Sequence, residues 1–206
     1  PIYDLATGEP SLLKTQNGKG SEIDGQIPAF QVAMAAVAAP TYFKPYTGVY
    51  SDLKGKKKQI SSIVDGGIVT KNPALIGFLE ATKVFNQPTS NLEILSIGTG
   101  KRKLANETNN KRWGIHYWLF KDKRRRLFDM FTQGQSQQVI SYLNIMKKEV
   151  SNESSFVFDR VDTILRMEDD IAFDEYDNKK IIAFSNLASV EFEKSGKDTL
   201  IKHFYR

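Results

Sequence analysis

Residues 60 to 73 read Ile60-Ser61-Ser62-Ile63-Val64-Asp65-Gly66-Gly67-Ile68-Val69-Thr70-Lys71-Asn72-Pro73. A run of β-branched and small residues stops at Asp65, two glycines follow, and Asn72-Pro73 opens an apolar helical pattern. This order predicts a strand, a sharp turn and a helix, with a carboxylate at the C-terminal edge of the strand. Open α/β sheets bind their ligands at such edges. An Asp-Gly pair alone is most often only a turn, because glycine tolerates positive φ, so the flanking chain has to decide.

On the C-terminal side, Asn72 suits an N-cap and Pro73 the first helical position. A helix is predicted from Pro73 to about Phe85, with Leu75, Ile76, Leu79 and Val84 on its buried face. Leu92 to Ile97 reads as an apolar strand, although it includes Glu93 and Ser96, and it ends in Gly98-Thr99-Gly100. Such a run fits a strand of a parallel sheet covered on both faces. Strand, Asp-Gly-Gly, helix, strand and Gly-Thr-Gly together predict a right-handed βαβ unit with both glycine-rich turns on one sheet edge.

On the N-terminal side, Pro1 to Leu5 and Ser11 to Thr15 flank Gly8 as a hairpin, and Gln16 to Gln26 reads as a polar loop. Ile27-Pro28 introduces an alanine-dense helix over Ala29 to Ala39, stopped by Pro40. Its small side chains allow a close approach to a sheet, although high helix propensity explains them equally well. Thr41 to Tyr50, with Tyr42, Phe43, Tyr46 and Tyr50, reads as an aromatic connection and not as a regular element.

Beyond residue 100, Lys101 to Arg112 is a polar loop. Trp113 to Phe120 carries Trp113, Tyr117, Trp118 and Phe120 directly before the basic run Lys121 to Arg126. Rings beside cations suit either an anionic membrane interface or a cap on the core. Leu127 to Met146 has helical spacing, Phe156 to Val161 is a strand candidate, and Ile181 to Lys194 is an amphipathic helix closed by Gly196.

The totals set bounds. The 206 residues contain 40% hydrophobic, 26% charged and 11% aromatic residues. These are globular values, enough for one α/β domain that buries roughly 70% of its extended-chain surface. No apolar stretch reaches the roughly 18 residues of a membrane-spanning helix, and the first residues carry no secretory-leader pattern. The compartment stays open. With no cysteine and only His116 and His203, disulfides and thiolate metal sites are excluded, and neither histidine has ligand-type spacing. The formal charge of +5 is concentrated in Lys54 to Lys58, Lys101 to Lys103 and Lys121 to Arg126. Such runs are solvated loops, membrane contacts or nucleic-acid contacts. No recognised nucleic-acid motif accompanies them, so a nucleic-acid partner is not expected.

Four motifs in order resemble the later part of a patatin-like phospholipase domain: Tyr3-Asp4-Leu5-Ala6-Thr7-Gly8-Glu9-Pro10, Ala35-Ala36-Val37-Ala38-Ala39-Pro40-Thr41-Tyr42-Phe43, Val64-Asp65-Gly66-Gly67 followed by Asn72-Pro73, and Leu95-Ser96-Ile97-Gly98-Thr99-Gly100. Weaker similarity runs through Gln133-Gly134-Gln135-Ser136 and the final helix. The resemblance implies an α/β fold with a central, largely parallel sheet flanked by helices. Residues 1–206 would form a single partial domain, with the sheet core in about 1–100 and a mainly helical part in about 101–206. It implies lipid acyl hydrolysis by a Ser-Asp dyad, with Asp65 as the base, Gly66 and Gly67 as its supporting turn, and a phospholipid or other lipid ester as substrate. No metal or organic cofactor is implied. An anionic membrane surface is a partner that the aromatic and basic runs would suit, beside the alternative of a cap on the core.

The chemistry agrees with that assignment. A serine hydroxyl is a poor nucleophile until a positioned base takes its proton, and burial that raises a carboxylate pKa makes it a better base near neutrality. The family's nucleophile lies in Gly-x-Ser-x-Gly, after a glycine-rich oxyanion loop, and these 206 residues contain neither. Ser96 has only the trailing Gly98 and Ser136 only the leading Gly134, and Lys71 stands where the family has the first Asn of Asn-Asn-Pro. The chain alone is therefore expected to be inactive. A missing N-terminal segment with the nucleophile elbow becomes a required partner, supplied by a longer protein or another polypeptide. The alternative is a non-catalytic membrane- or protein-binding module of the same fold.

Overall fold

The computed structural model describes residues 1–14, 24–103, 114–119, 126–149, 155–165, 171 and 175–204. The polar loop at 16–23, most of the loop at 101–112, Trp113, Phe120 and the basic run 121–125 lie outside the described residues. Two compact units divide the chain: Pro1–Asn86 with Phe131–Ser141, and Gln87–Met130 with Tyr142–Arg206.

The first unit opens with a hairpin, as expected, but its second strand is Glu9–Ser11 and not Ser11 to Thr15. Strands β1 (Ile2–Asp4) and β2 (Glu9–Ser11) pair antiparallel, turning through Gly8 at φ +74°. Helix α1 (Ala29–Ala36) follows Pro28. The aromatic segment after it contains a strand, β3 (Tyr46–Ser51), which corrects its reading as an irregular connection. The usable signal was the period of two in Tyr46, Gly48 and Tyr50 on the more buried face, hidden by the glycine and by Pro45. Strand β4 (Lys57–Asp65) ends at Asp65 as expected. The sheet order is β2-β1-β4-β3, and all its pairs are antiparallel.

The core of this unit forms because α1 lays small side chains on the sheet. Ile2, Ile27, Ala35, Tyr50, Ile60 and Ile63 make one buried cluster, with Leu13, Val32, Ala36 and Tyr46 packed against it. Each large aliphatic side chain buried in this way contributes roughly 1.5–3 kcal/mol. Ala35 is fully buried, so here the small residues of α1 do serve close packing. Helix α2 (Ala74–Leu79) starts as predicted but gives way to a π turn over Glu80–Val84. It buries Phe78, whereas the predicted Leu79 is exposed, a shift of the buried face by one residue.

In the second unit, β5 (Glu93–Ile97) forms, but its partner is not β4. It pairs in parallel with β7 (Val157–Val161), and short β6 (Lys101–Arg102) pairs in parallel with β8 (Ile164–Leu165). The expected βαβ unit joining β4 to β5 in one sheet is therefore not found: the two strands belong to different sheets. Parallel pairing occurs, as an α/β chain requires, but between strands far apart in sequence. Nor is β5 covered on both faces, since Glu93 and Ile97 are exposed and only Ser96 is buried.

The helices are α3 (Ile115–Leu119), α4 (Arg126–Glu149), α5 (Asn178–Glu191) and α6 (Lys197–Phe204). Asp177 caps α5, its Oδ1 accepting from the Lys179 N–H at 2.9 Å. Gly196 does not close that helix: a π turn over Phe192–Gly196 leads into α6. The glycine is buried instead, with the Phe192 ring and Val161 where a Cβ would stand. No helix among the described residues is long and apolar enough to cross a membrane.

Candidate active site

Asp65 stands at the C-terminal end of β4, opposite Ile2 of β1. Its backbone N–H donates to the Ala38 carbonyl at 3.1 Å, which ties the strand end to the segment after α1. The side chain caps the 3₁₀ turn Gly66–Ile68, with Oδ1 accepting from the Gly67 N–H at 2.7 Å. No other hydrogen bond to this carboxylate is found among the described residues. Asp65 is partly buried, so one oxygen is fixed and the other is left for a proton donor.

The strand that leads to Asp65 is irregular. Between the pairs Tyr46↔Ile63 and Gly48↔Ile60 the register shifts by one residue. Ser62, in the extra length on β4, has φ +60°. A bulge of this kind bends its strand and re-aims the residues that follow, here Ile63, Val64 and Asp65. Thr41, three residues past the Ala38 carbonyl that holds Asp65, also has positive φ, +76°. A β-branched residue pays sterically for that conformation.

Both glycines of the turn have reasons to be glycine. Gly66 is buried, and a Cβ there would run into the Pro1 carbonyl carbon and the Ile2 nitrogen of β1. A Cβ on Gly67 would stand 3.0 Å from Asp65 Oδ1. Downstream, Asn72 is buried and its Oδ1 accepts from the Ala74 N–H at 3.1 Å, turning the chain into α2.

Sequence reading missed Gln135. From the stretch of α4 that belongs to the first unit, its Oε1 accepts from the Lys71 N–H at 2.9 Å and from the Asn72 N–H at 3.4 Å. It holds the loop that follows the Asp-Gly-Gly turn. Gln31 was missed for the same reason: it is buried in α1 and donates through Nε2 to the Val49 carbonyl at 2.9 Å, tying helix to sheet.

Gly98-Thr99-Gly100 belongs to the second unit, where Gly98 lies against a partly buried ion pair and a Cβ on Gly100, at φ +97°, would meet the Leu165 side chain. Arg160 grips Asp162 at 2.8 Å, Asp162 Oδ1 accepts from the Gly100 and Thr163 N–H groups at 3.1 Å each, and a Cβ on Gly98 would strike both side chains. Arg160 Nη1 also donates to Ser96 Oγ at 2.7 Å. Beside this network lies a cavity of about 320 Å³, walled by Ile97, Val161, Leu165, Phe184, Leu187 and Phe192 among others. No group of three His, Cys, Asp or Glu side chains among the described residues could hold a metal ion.

The aromatic-basic segment is described in part. Tyr117 is 5% exposed and Arg126 7%. The guanidinium carbon lies 4.6 Å from the Tyr117 ring centroid, and Nη1 donates to the phenol oxygen at 3.3 Å. Trp118 meets the same ring edge-on at 5.8 Å. At Tyr117 and Arg126 the core-capping alternative holds.

Set beside known proteins, no family model matches the chain. Patatin-like protein 2 of Arabidopsis thaliana is 26% identical over 80% of this chain and 43% of its own length. Two proteins named cGAMP-activated phospholipase are also similar. That of Escherichia coli is 27% identical over 100% of this chain and 57% of its own length, and that of Vibrio cholerae is 36% identical over 48% and 27%. The chain thus spans between 27% and 57% of the length of these relatives.

Proposed function

We propose that this chain, a relative of the patatin-like phospholipases, supplies the carboxylate base of a lipid acyl hydrolase, with Asp65 as that base and the nucleophilic serine carried by residues outside these 206. The observation that carries the proposal is the setting of Asp65: a strand end re-aimed by a bulge, one oxygen held by the Gly67 N–H at 2.7 Å, and the other without a described partner. Gly66 and Gly67 are the supporting turn. The 206 residues act in this reading as one partial catalytic domain.

The steps follow from the chemistry. A serine hydroxyl attacks the ester carbonyl of a membrane lipid while Asp65 takes its proton. The tetrahedral intermediate then expels the alcohol, which receives that proton, and leaves an acyl-serine. Water attacks the acyl group with Asp65 again as base, releasing the fatty acid and restoring the serine. Neither a metal nor an organic cofactor enters these steps. The substrate class is phospholipid or neutral-lipid ester, and the surface of work is an anionic membrane. The apolar walls of the cavity in the second unit suit hydrocarbon. Phe30 and Met34 on α1, with Val37 just after it, are exposed apolar side chains, as expected of a face that the serine-bearing segment covers.

The test uses the natural protein isolated together with whatever polypeptide carries Gly-x-Ser-x-Gly. Asp65→Asn is expected to lower fatty-acid release from phospholipid by about 10²- to 10⁴-fold, the usual worth of a general base, with the unfolding midpoint unchanged. An unchanged rate contradicts the proposal. The lack of Gly-x-Ser-x-Gly in the 206 residues favours a second reading, a non-catalytic binding module. Its sign is lipid binding without turnover even when the serine-bearing polypeptide is present.

A further inference from the structure

The turn between β3 and β4 combines three features that a merely solvated loop has no need of. Leu53 at its tip is 90% exposed, an aliphatic side chain held almost wholly in water. Lys54, Lys56, Lys57 and Lys58 surround it, all exposed, and no described carboxylate forms an ion pair with any of them. The turn is also closed by its own hydrogen bonds. Asp52 Oδ1 accepts from the Lys54 and Lys56 N–H groups at 2.9 Å each. The Asp52 N–H donates to the Lys56 carbonyl and the Gly55 N–H to the Asp52 carbonyl, again at 2.9 Å, and Gly55 supplies the φ of +76° that the turn requires.

Register spreads the charge. Lys57 lies opposite Ser51 and Lys58 opposite Tyr50, so the two lysines project from opposite faces of the hairpin and flank the leucine on both sides. Val49, 55% exposed, shares the face of Lys57 and adds apolar surface behind the tip.

We propose that this hairpin is a membrane-contact element, in which Leu53 enters the headgroup layer of an anionic bilayer and the four lysines bind its lipid phosphates and carboxylates. Charge complementarity together with an apolar tip selects a lipid surface. Lysines near an anionic leaflet are attracted roughly additively, and an aliphatic side chain gains only by leaving water. A nucleic acid would gain little from Leu53, because single strands are held by stacking on aromatic rings, and the nearby Tyr50 is buried. Strand β4 runs from Lys57 to Asp65, a span of about 27 Å over its nine residues. The hairpin therefore tethers the chain at a distance from the proposed chemistry. This inference rests on the lipid-directed reading above, but its readout is binding, so it is judged separately from turnover.

The 206 residues contain no cysteine, so Leu53→Cys carrying an environment-sensitive fluorophore, compared with the equally treated protein that keeps Leu53, reports on the tip. On vesicles of phosphatidylcholine with phosphatidylserine, its emission is expected to shift to the blue and brighten; on phosphatidylcholine alone and on single-stranded RNA it is expected to stay unchanged. Replacing Lys57 and Lys58 together by alanine is expected to weaken vesicle partitioning by roughly twenty-five-fold, about five-fold per lysine. Hydrolysis of a dispersed, water-soluble ester by the assembled enzyme should be unaffected. A label that stays in water on bound vesicles, a double variant that partitions like the wild type, or tighter binding to RNA than to the anionic vesicles at the same salt would each overturn the inference. Loss of hydrolysis in Asp65→Asn with the label response intact leaves it standing; failure of the label response with hydrolysis intact removes it alone.

Discussion

At the residue scale, the Asp-Gly-Gly turn is built on contact between backbones, which gives its glycines different tolerances. A methyl group on Gly66 has nowhere to go, because what it meets is the main chain of Pro1 and Ile2. Gly66→Ala is expected to cost about 1–3 kcal/mol, as overpacking a tight site does, measured by urea unfolding. The contrasting case is Gly77 in α2, where a Cβ would meet nothing within 4 Å. There, Gly77→Ala is expected to stabilise by roughly 0.5–1 kcal/mol through helix propensity. If both changes had the same sign, the close approach at Gly66 would not matter to stability. The sequence announced Asp65, Gly66 and Gly67 because turn residues carry a local signature. Gln135 stood out only within a stretch of weaker similarity, and no contact to it or to Gln31 was legible, since their amides bond backbone groups 64 and 18 residues away.

At the element scale, the type of most elements was legible, though not that of β3, and what was hidden was their phase and their partners. A strand ending at Asp65, a strand ending at Ile97 and a long helix from about Leu127 all formed, since each rests on its own hydrophobic period. In α2, however, the apolar residues Leu75, Ile76, Phe78 and Leu79 fill too much of the circumference for spacing to name the inward side. Phe78 was buried, and Phe78→Ala is therefore expected to cost about 3–5 kcal/mol. Leu79→Ala, on the exposed side, should stay within about 0.5 kcal/mol. Thermal or urea unfolding separates the two, and a larger loss at Leu79 than at Phe78 would place the buried face where the sequence pattern had put it.

At the scale of the whole molecule, the pairing of β5 with β7 joins residues such as Glu93 and Val157, a closure that no local pattern encodes. The sheet that carries Asp65 is antiparallel, while the second unit pairs its strands in parallel. The α/β class was legible from the alternation of strands and helices; the division into sheets was not. The central claim is that Asp65 acts as base for a serine that these residues do not contain. A fluorophosphonate, which phosphonylates only an activated serine, tests it on the natural protein with all its polypeptides present, read by peptide mass spectrometry. The account predicts a label on the serine of Gly-x-Ser-x-Gly, and labelling slowed by about 10²-fold or more in Asp65→Asn. Equal labelling rates in the two proteins, or no labelled serine at all, would contradict it.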